Sequence, residues 1–379
     1  WVDTEDLAEV ASPNVGQALQ GRVAGVQVTP SSGEPGQDAV IRIRGVGTLG
    51  DASPLYVVDG MLLDDISFLS PNDIASMDVL KDASATAIYG SRGANGVIIV
   101  TTRQGDLDAP ARFTVSAYTG VQEVQNRIDL VNAQEYAMLA NELAANQDLP
   151  EPYFPDPSAV GAGTDWQDEV FRTAPIQNYQ VSATGGAEQI SYYFSGNFIR
   201  QQGAIPKSNY DRFTLRLNGD YNLKDNFRLG NNINFTFTDD KRAPGVLRAL
   251  YYADPTIEPR EAEGEFSNAS VRSSAGNPAA AVFYTNNGGE ANRLVGNLFG
   301  ELDFLTDFTL RSTFGVDYER DDFRSFLPEY IVSPTQQNVD SDLTVESRTN
   351  RSWLWENTVD YNWIRDRHRG SAGAGVSAG

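Results

Sequence analysis

The sequence predicts a mixed α/β unit at its N-terminal end, followed by an incomplete antiparallel β-barrel that crosses a membrane. Three observations predict this division. Short Val- and Ile-rich runs alternate with glycine-rich turns in residues 12–105. In residues 106–379 longer runs alternate strictly between apolar and polar side chains, and they reach about ten residues, the length that a tilted strand needs to cross a bilayer. Short and long connections also alternate between these runs.

The composition limits the classes of function. With 51 acidic and 29 basic side chains the formal net charge is -22, which argues against sequence-independent binding to nucleic acid. The sequence has no cysteine and one histidine, His368, so thiolate metal sites and cysteine nucleophiles are excluded. There is no run of about 18 apolar residues, which excludes a transmembrane helix. A membrane protein of this composition would therefore have to be a barrel.

The N-terminal unit follows a short linker, residues 1–11. Asn14 is the predicted cap of a first helix and Gly21 its predicted end, while Asp82 is expected to cap a second helical turn that Gly90 ends. The helices are expected to cover one face of a small sheet. Its strands are predicted at 26–28, 39–43, 55–58, 76–80 and 97–102.

Each long run of the second unit has one apolar and one polar side. In residues 212–221 every second side chain, from Phe213 to Tyr221, is apolar or absent, and those between are polar or charged. The same division recurs in 190–198, 294–304, 308–318 and 353–363. A soluble sandwich with one wet face is the alternative. Strands longer than the usual length of about five or six residues disfavour it.

The connections provide a second test, because bacterial barrels have short periplasmic turns and long external loops. Short turns are expected at 185–188, 223–226, 305–307 and 365–368, and longer connections at 127–175, 201–209, 241–290 and 321–350. Aromatic side chains near the strand ends are predicted to form girdles at the lipid–water interfaces. They are Tyr192, Tyr193, Tyr210, Tyr221, Phe304, Tyr318, Trp353, Trp355, Tyr361 and Trp363.

The first 105 residues contain an ordered series of motifs. The series runs through 17–28 (QALQGRVAGVQV), 33–36 (GEPG), 41–45 (IRIRG), 54–60 (PLYVVDG), 72–74 (NDI), 79–90 (VLKDASATAIYG), 91–97 (SRGANGV) and 101–102 (TT). In order and spacing it closely resembles the plug domain of SusC/RagA-type TonB-dependent outer-membrane transporters of Bacteroidota. Weaker similarities continue in 166–171, 185–186, 202–203 and 310–315. The resemblance implies a plug domain over 12–105 and part of a transmembrane barrel over 106–379, with about eight or nine of roughly 22 strands.

The resemblance also implies a function without catalysis: TonB-dependent import of a bulky nutrient, an oligosaccharide or a peptide, across the outer membrane of a Bacteroidota-like Gram-negative cell. A SusD-like surface lipoprotein would capture the substrate. The TonB-ExbB-ExbD complex would act through an N-terminal segment missing from this sequence, and outer-membrane lipid would surround the barrel. The alternatives are a TonB-dependent receptor for a siderophore or cobalamin, and a surface receptor or adhesin that does not transport. We expect a piece of a longer protein, because the sequence opens at Trp1 without a signal peptide.

The site residues predicted from the sequence lie in the plug motifs. Arg42 and Arg44 are two positions apart and therefore share one face of a strand. We expect them to hold the plug by pairing with wall carboxylates, for example Glu301 or Asp303. No catalytic, cofactor-binding or metal-binding residue is predicted, although the paired aspartates 64–65, 239–240 and 321–322 leave open a structural calcium in an external loop. The remaining candidates for plug–barrel contacts are Asp59, Lys81, Asp82 and Arg92.

Overall fold

The structure, a computed structural model, describes residues 14–43, 45, 52–82, 86–270, 272–305, 307–365 and 368–379. The linker at residues 1–11 and Arg44 lie outside the described residues. Two bodies follow one another along the chain. We call the mixed α/β unit up to residue 105 the plug and the long antiparallel sheet after it the wall. Among the described residues, no helix is both long and apolar enough to cross a membrane.

The plug contains two small sheets. The first sheet pairs β1 (Val26–Pro30) with β2 (Ala39–Ile43), and the second, larger sheet contains β3 (Leu55–Val58), β4 (Met61–Leu63), β5 (Ile74–Leu80) and β6 (Val97–Thr102). In the larger sheet the strand order is β4-β3-β6-β5, with β3 and β6 parallel and the other neighbours antiparallel. The five strands that the sequence predicts are present, whereas β4 was not predicted because it is too short to show an alternating pattern.

A two-residue turn, Asp59 and Gly60, connects β3 to β4. Both residues have positive φ, 47° and 88°, as a type I′ hairpin turn requires. Glycine adopts this conformation freely, and aspartate tolerates it better than most residues. The turn therefore projects the Asp59 carboxylate from the end of the plug sheet at a fixed position.

Short helical segments pack on the plug sheets. As predicted, α1 (Val15–Ala18) starts after Asn14, but the Asn14 side chain donates to the Gln37 carbonyl, 2.7 Å away, instead of capping the helix. The second predicted helix differs more: the structure has a 3-10 helix, Ala87–Gly93, and residues 83–85 lie outside the described part of the chain. Gly90, at φ 58°, kinks this segment instead of ending it, because glycine accepts that conformation within a turn.

The plug has one main apolar core, which α1, both sheets and the segment 66–69 share. The wall adds Val295 to this core. Nearly all of the core side chains therefore come from the plug itself. They include Val15, Leu19, Ile41, Tyr56, Leu63, Phe68, Leu69, Ile74, Met77, Ile98 and Val100.

Among the described residues, nine antiparallel strands form the wall, and each pairs with its neighbours in chain order. The fold prediction is confirmed: a plug is followed by a large antiparallel sheet that corresponds to part of a barrel. The wall strands are β7 (Arg112–Gln122), β8 (Ala174–Ala187), β9 (Ile190–Gln202), β10 (Asn209–Lys224), β11 (Phe227–Arg242), β12 (Asn286–Phe304), β13 (Phe308–Leu327), β16 (Asp342–Arg365) and β17 (His368–Ala378), and a separate hairpin of β14 (Tyr330–Ser333) and β15 (Gln336–Asn338) lies between β13 and β16.

Short turns and long connections alternate along the wall, as expected. Two predicted loops, 241–290 and 321–350, are nevertheless shorter than the sequence indicates. The strands continue beyond the apolar runs, and their outward side chains become charged, so the alternation ends before the hydrogen-bonded ladder does. The helices in the long connections are α2 (Ala133–Asn146), a 3-10 helix (Pro157–Val160), α3 (Trp166–Val170), α4 (Leu247–Tyr252) and α5 (Pro278–Tyr284).

The wall buries its polar face and exposes its apolar face. On β10, Arg212 and Arg216 are buried against the plug, whereas Phe213 and Leu217 are 40% and 47% exposed. This arrangement is the reverse of a soluble protein and is typical of a barrel strand with a lipid-facing outer surface.

The same alternation corrects two predicted girdle residues. Tyr193 and Tyr210 are 4% and 9% exposed and lie on the inner face. Successive side chains of a strand point to opposite faces, so an aromatic residue near a strand end has even odds of facing inward. Tyr192, Trp353 and Trp355 are exposed, as the girdle requires.

Candidate functional site: the plug–wall interface

A buried guanidinium of the wall, Arg216, lies among acidic side chains of the plug. Its Nη1 is 3.5 Å from Asp59 Oδ2 and its Nε is 3.8 Å from Asp73 Oδ2. The Arg216 side chain is 2% exposed, and both carboxylates are also buried. Nη1 additionally donates to Thr102 Oγ1 at 3.1 Å. Because a buried charge is tolerated only when it is paired, the plug carboxylates are what permit this arginine on the inner face.

Asp59 connects three parts of this cluster. The backbone N–H and the hydroxyl of Thr102 donate to its two carboxylate oxygens at 2.9 and 2.7 Å. From the wall, Asn297 donates to the Asp59 carbonyl at 2.8 Å, and Asn218 donates to Thr102 Oγ1 at 2.8 Å. The β3–β4 turn, the end of β6 and two wall strands therefore meet around Asp59 and Thr102.

Asp73 is held by the wall from a second direction. Gln180 Nε2 and Tyr193 OH both donate to Asp73 Oδ1, at 2.8 and 2.9 Å. Ser70 donates to Gln180 Oε1 at 2.9 Å. Asp73 ends a 3-10 helix, Pro71–Asp73, in which proline restricts the backbone. The carboxylate is thus presented to the wall on a stiff segment.

A second wall arginine, Arg293, pairs with the plug and with the wall at once. Its Nη1 lies 2.7 Å from Asp65 Oδ2, and its Nη2 lies 2.9 Å from Asp317 Oδ2 on the adjacent strand. The guanidinium also stacks 4.8 Å over the Phe68 ring. Burial acts to raise the pKa of Asp65, but Arg293 and two hydrogen bonds from Ser67 outweigh it and hold the pKa below its usual value.

A third arginine completes the interface, since Arg212 donates to the Ser67 carbonyl. The polar attachment expected from the sequence is therefore present, but its charges are reversed: the arginines come from the wall and the carboxylates from the plug. The arginines on the polar face of 212–221 could have indicated this arrangement of charges from the sequence, because cations on a buried face need counterions. Only the structure shows which plug carboxylates supply them.

The predicted partners of the plug arginines have other contacts. Glu301 pairs with the wall residues Arg228 and Arg311 at 3.8 and 3.3 Å. Asp303 accepts from Thr309 at 2.6 Å. Arg42 is partly buried on β2, opposite Gln27, and Arg44 lies outside the described residues.

The remaining predicted site residues differ in position. Asp59 lies in the interface described above. Lys81 donates to the Ala24 carbonyl within the plug, and Arg92 forms an exposed pair with Asp64 at 3.2 Å. The Asp82 carbonyl accepts the Thr86 N–H at 3.0 Å, which is a local contact of the plug.

The long connections form a second apolar core that the sequence did not indicate, because their pattern has no regular period. Trp166 is buried and donates from Nε1 to the Asp254 carbonyl at 3.0 Å. Arg272 pairs with the buried Asp254 carboxylate at 2.9 Å. The other buried members of this core are Val170, Val246, Leu250, Ala253, Ala269 and Val282. The long connections are thus packed against one another.

Two of the three paired aspartates lie on strands instead of in loops. Asp239–Asp240 and Asp321–Asp322 lie on β11 and β13, where neighbouring side chains point to opposite faces. Asp240 pairs with Arg242 at 2.6 Å and Asp322 with Arg320 at 2.9 Å. A calcium ion in an external loop remains a prediction from the sequence, without these residues as loop ligands.

Comparisons with known proteins agree with this geometry. The family model described as TonB-dependent Receptor Plug Domain matches residues 1–97. A TonB-dependent receptor of Formosa agariphila is 35% identical over 389 residues, covering 99% of this chain and 37% of the relative. The TonB-dependent receptor SusC of Bacteroides thetaiotaomicron is 32% identical over 357 residues, covering 84% of this chain and 34% of SusC. The chain thus spans well under half of the length of these curated relatives.

Solved structures show the same similarity. The RagAB peptide importer in its closed-closed state has a TM-score of 0.82 and 26% identity, over 99% of this chain and 46% of that one. A ferric enterobactin receptor of Pseudomonas aeruginosa has a TM-score of 0.57 at 12% identity, which shows a shared fold alone. The plug and the wall together correspond to part of a TonB-dependent receptor. Within that class the chain is SusC/RagA-like, as its motifs indicated.

Proposed function

We propose that this chain is the gate and part of the wall of a transporter that imports a bulky nutrient, an oligosaccharide or a peptide, across the outer membrane of a Bacteroidota-like bacterium. The observation that carries the proposal is the composition of the plug–wall interface. Charged pairs and hydrogen bonds hold the plug, and its apolar core lies almost entirely within it. Water can replace such polar contacts, so the plug can leave the wall without exposing a core.

Arg293 supports this role because it has one carboxylate on each side of the interface. When the plug moves, Arg293 loses Asp65 but keeps Asp317. A wall cation that retains a partner lowers the cost of opening, since an unpaired buried charge is expensive. The plug–wall contacts can therefore break and form again as the plug moves, and they involve no covalent chemistry.

The proposal includes partners. A SusD-like surface lipoprotein captures the substrate above the packed external loops, and the TonB-ExbB-ExbD complex supplies the force for plug movement. The similarity to SusC and to the RagAB peptide importer favours a nutrient over a siderophore or cobalamin, because the ferric enterobactin receptor shares only the fold.

The experiment ties the plug to the wall in the full-length protein. Ser67 of the plug and Thr238 of the wall line the same cavity of about 40 Å³. The variant S67C/T238C is treated with a short, reducible thiol cross-linker in cells that depend on this transporter, an approach helped by the absence of cysteine from this sequence. Uptake of a labelled oligosaccharide or peptide and its surface binding are then measured.

We expect the tether to abolish uptake while surface binding persists, and reduction of the linker to restore uptake. The single variants S67C and T238C, treated in the same way, are the matched controls and keep full uptake. Uptake that continues through an intact tether would contradict gating by the plug. Binding without any uptake in untreated cells would favour a surface receptor or adhesin.

A further inference from the structure

The outward face of the wall changes from apolar to charged along four adjacent strands. The strand register aligns outward side chains into rows that cross β10, β11, β12 and β13. One row consists of Leu215, Phe235, Leu294 and Tyr318. Two rows closer to the long connections, which we call the upper end of the strands, the row consists of Asp211, Asp239, Glu290 and Asp322. The next row above it consists of Asn209, Lys241, Gly288 and Arg324. The apolar surface therefore ends below a band of ordered charges.

A cavity of about 670 Å³ lies over the charged rows. Gly288 forms part of its lining and has no side chain, and Lys241 and Arg324 flank it on the neighbouring strands. Two strand spacings put these flanking backbones about 10 Å apart. Both side chains are exposed, and Lys207 adds a third cation beside them. Long cationic side chains on both sides of a glycine gap can converge on one bound anion.

The charge of this cavity favours an anion despite the acidic row. Asp211 pairs with Arg200 at 2.7 Å and Asp322 with Arg320 at 2.9 Å. Asp240, also in the lining, alternates onto the inner face and pairs with Arg242. Once these paired carboxylates are set aside, the lining has three cations and two carboxylates, which gives one net positive charge. The cations are Lys207, Lys241 and Arg324, and the carboxylates are Asp239 and Glu290.

The position of the cavity identifies the anion. The upper ends of these strands join the longer connections, which bacterial barrels place outside the cell. Lipid headgroups lie where the apolar outer surface ends, and lysine and arginine at that level bind their phosphates. We propose that this cavity binds the phosphate of an outer-leaflet glycolipid, with Lys241 and Arg324 as its principal ligands and the acyl chains on the apolar rows below.

This inference rests on the outer-membrane orientation in the proposed function, but its test is independent of transport. Full-length protein in mild detergent is mixed with purified lipid A, and bound lipid is counted by native mass spectrometry. In K241Q/R324Q we expect the affinity for lipid A to fall at least about tenfold, since each interfacial cation contributes separately to binding an anionic lipid. Thermal unfolding of the variant is measured to verify that it folds.

The matched control is R228Q/R348Q, which also removes two positive charges from the wall. These residues alternate onto the inner face, opposite Glu301 and Asp321, so lipid A binding is expected to stay unchanged. Chemically dephosphorylated lipid A is expected to bind wild type and variant equally weakly. If it bound wild type as tightly as lipid A does, acyl contacts alone would explain binding and the proposal would fall.

Inorganic phosphate provides the last comparison. If free phosphate occupied the site as tightly as lipid A and displaced it, the site would bind a soluble anion and the lipid assignment would be wrong. Equal lipid A binding by K241Q/R324Q and wild type would also overturn the proposal. Neither outcome would affect the result of the plug–wall tether, so the two proposals fail separately.

Discussion

Arg216 shows how a single side chain depends on a partner from the other body. It has two carboxylate neighbours, Asp59 and Asp73, and both belong to the plug. Arg293 differs because one of its two carboxylates, Asp317, belongs to the wall. Loss of the plug therefore leaves Arg216 without these carboxylates but leaves Arg293 paired. The two arginines are expected to respond differently to mutation and to pH.

Replacing Arg216 tests the buried cluster. R216M leaves Asp59 and Asp73 buried without their cation, which we expect to weaken plug docking by about 3–5 kcal/mol. The measurement is the urea dependence of plug proteolysis in the full-length protein. R228M is the matched control: it removes a half-exposed wall arginine that pairs with Asp220 at 2.8 Å, and it should cost only about 0–1 kcal/mol. Equal effects of the two variants would contradict the role given to Arg216.

The Asp65 contact predicts a dependence on acid. The pKa of Asp65 is lower in the docked plug than in a free carboxyl group, so its pair with Arg293 stabilises docking above the ordinary value of about 3.9. That contribution is lost as the pH falls below this value. Protection of the plug from protease should therefore decline more steeply between pH 5 and pH 3 in wild type than in D65N. Parallel curves would show that Asp65 is not a source of the acid response.

At the scale of the element, alternate positions of each wall strand contact two different surroundings. The outward side chains of β10 form the lipid-facing surface, and the inward ones bind the plug. The alternation in 212–221 was enough to predict the strand and its apolar side. It was insufficient to predict the strand's upper end, because the backbone ladder continues after the outward side chains become charged. Hydrogen bonds between backbones leave no trace in the side-chain pattern.

A charge placed on the outer surface of β10 tests its contact with lipid. L217K puts an ammonium group in the apolar band, and we expect it to destabilise the folded protein by about 2–4 kcal/mol in phospholipid vesicles. L223K, on the same strand beside the short turn, should cost about 0–1 kcal/mol near the interface. Denaturant titration of full-length protein in vesicles measures both. A soluble, water-facing surface would tolerate the two substitutions equally.

The candidate site was predictable only in part, and Asp59 and Arg42 illustrate why. Asp59 lies in an Asp-Gly pair, a strong signal for a hairpin turn, and such a turn fixes its position. Arg42 shares that motif series but lies on β2, whose neighbour in the sheet is β1. Which strand faces the wall depends on how two separate sheets pack inside it. That packing follows from three-dimensional shape, and no local periodicity encodes it.

At the scale of the whole molecule, the plug has a main apolar core that is almost entirely its own. Its main core draws on α1, both sheets and the 66–69 segment, with Val295 as the wall's contribution. We expect residues 12–105 produced alone to fold cooperatively, with lower stability because the contacts with the wall, including the packing of Val295, are lost. Thermal unfolding followed by circular dichroism, with amide NMR dispersion, checks this. Absence of a cooperative transition would show that the wall is required for plug folding.

The connectivity of the wall has a consequence for its biogenesis. Every wall strand described pairs with the wall strands before and after it in the chain, and the plug comes first in the sequence. The hairpins with short turns, β8–β9, β10–β11, β12–β13 and β16–β17, form with little loop-closure entropy, so they can be added one after another. An inner face that carries buried arginines thus acquires its counterions while it is being assembled. The plug is synthesised before the wall, so the wall strands can assemble around it.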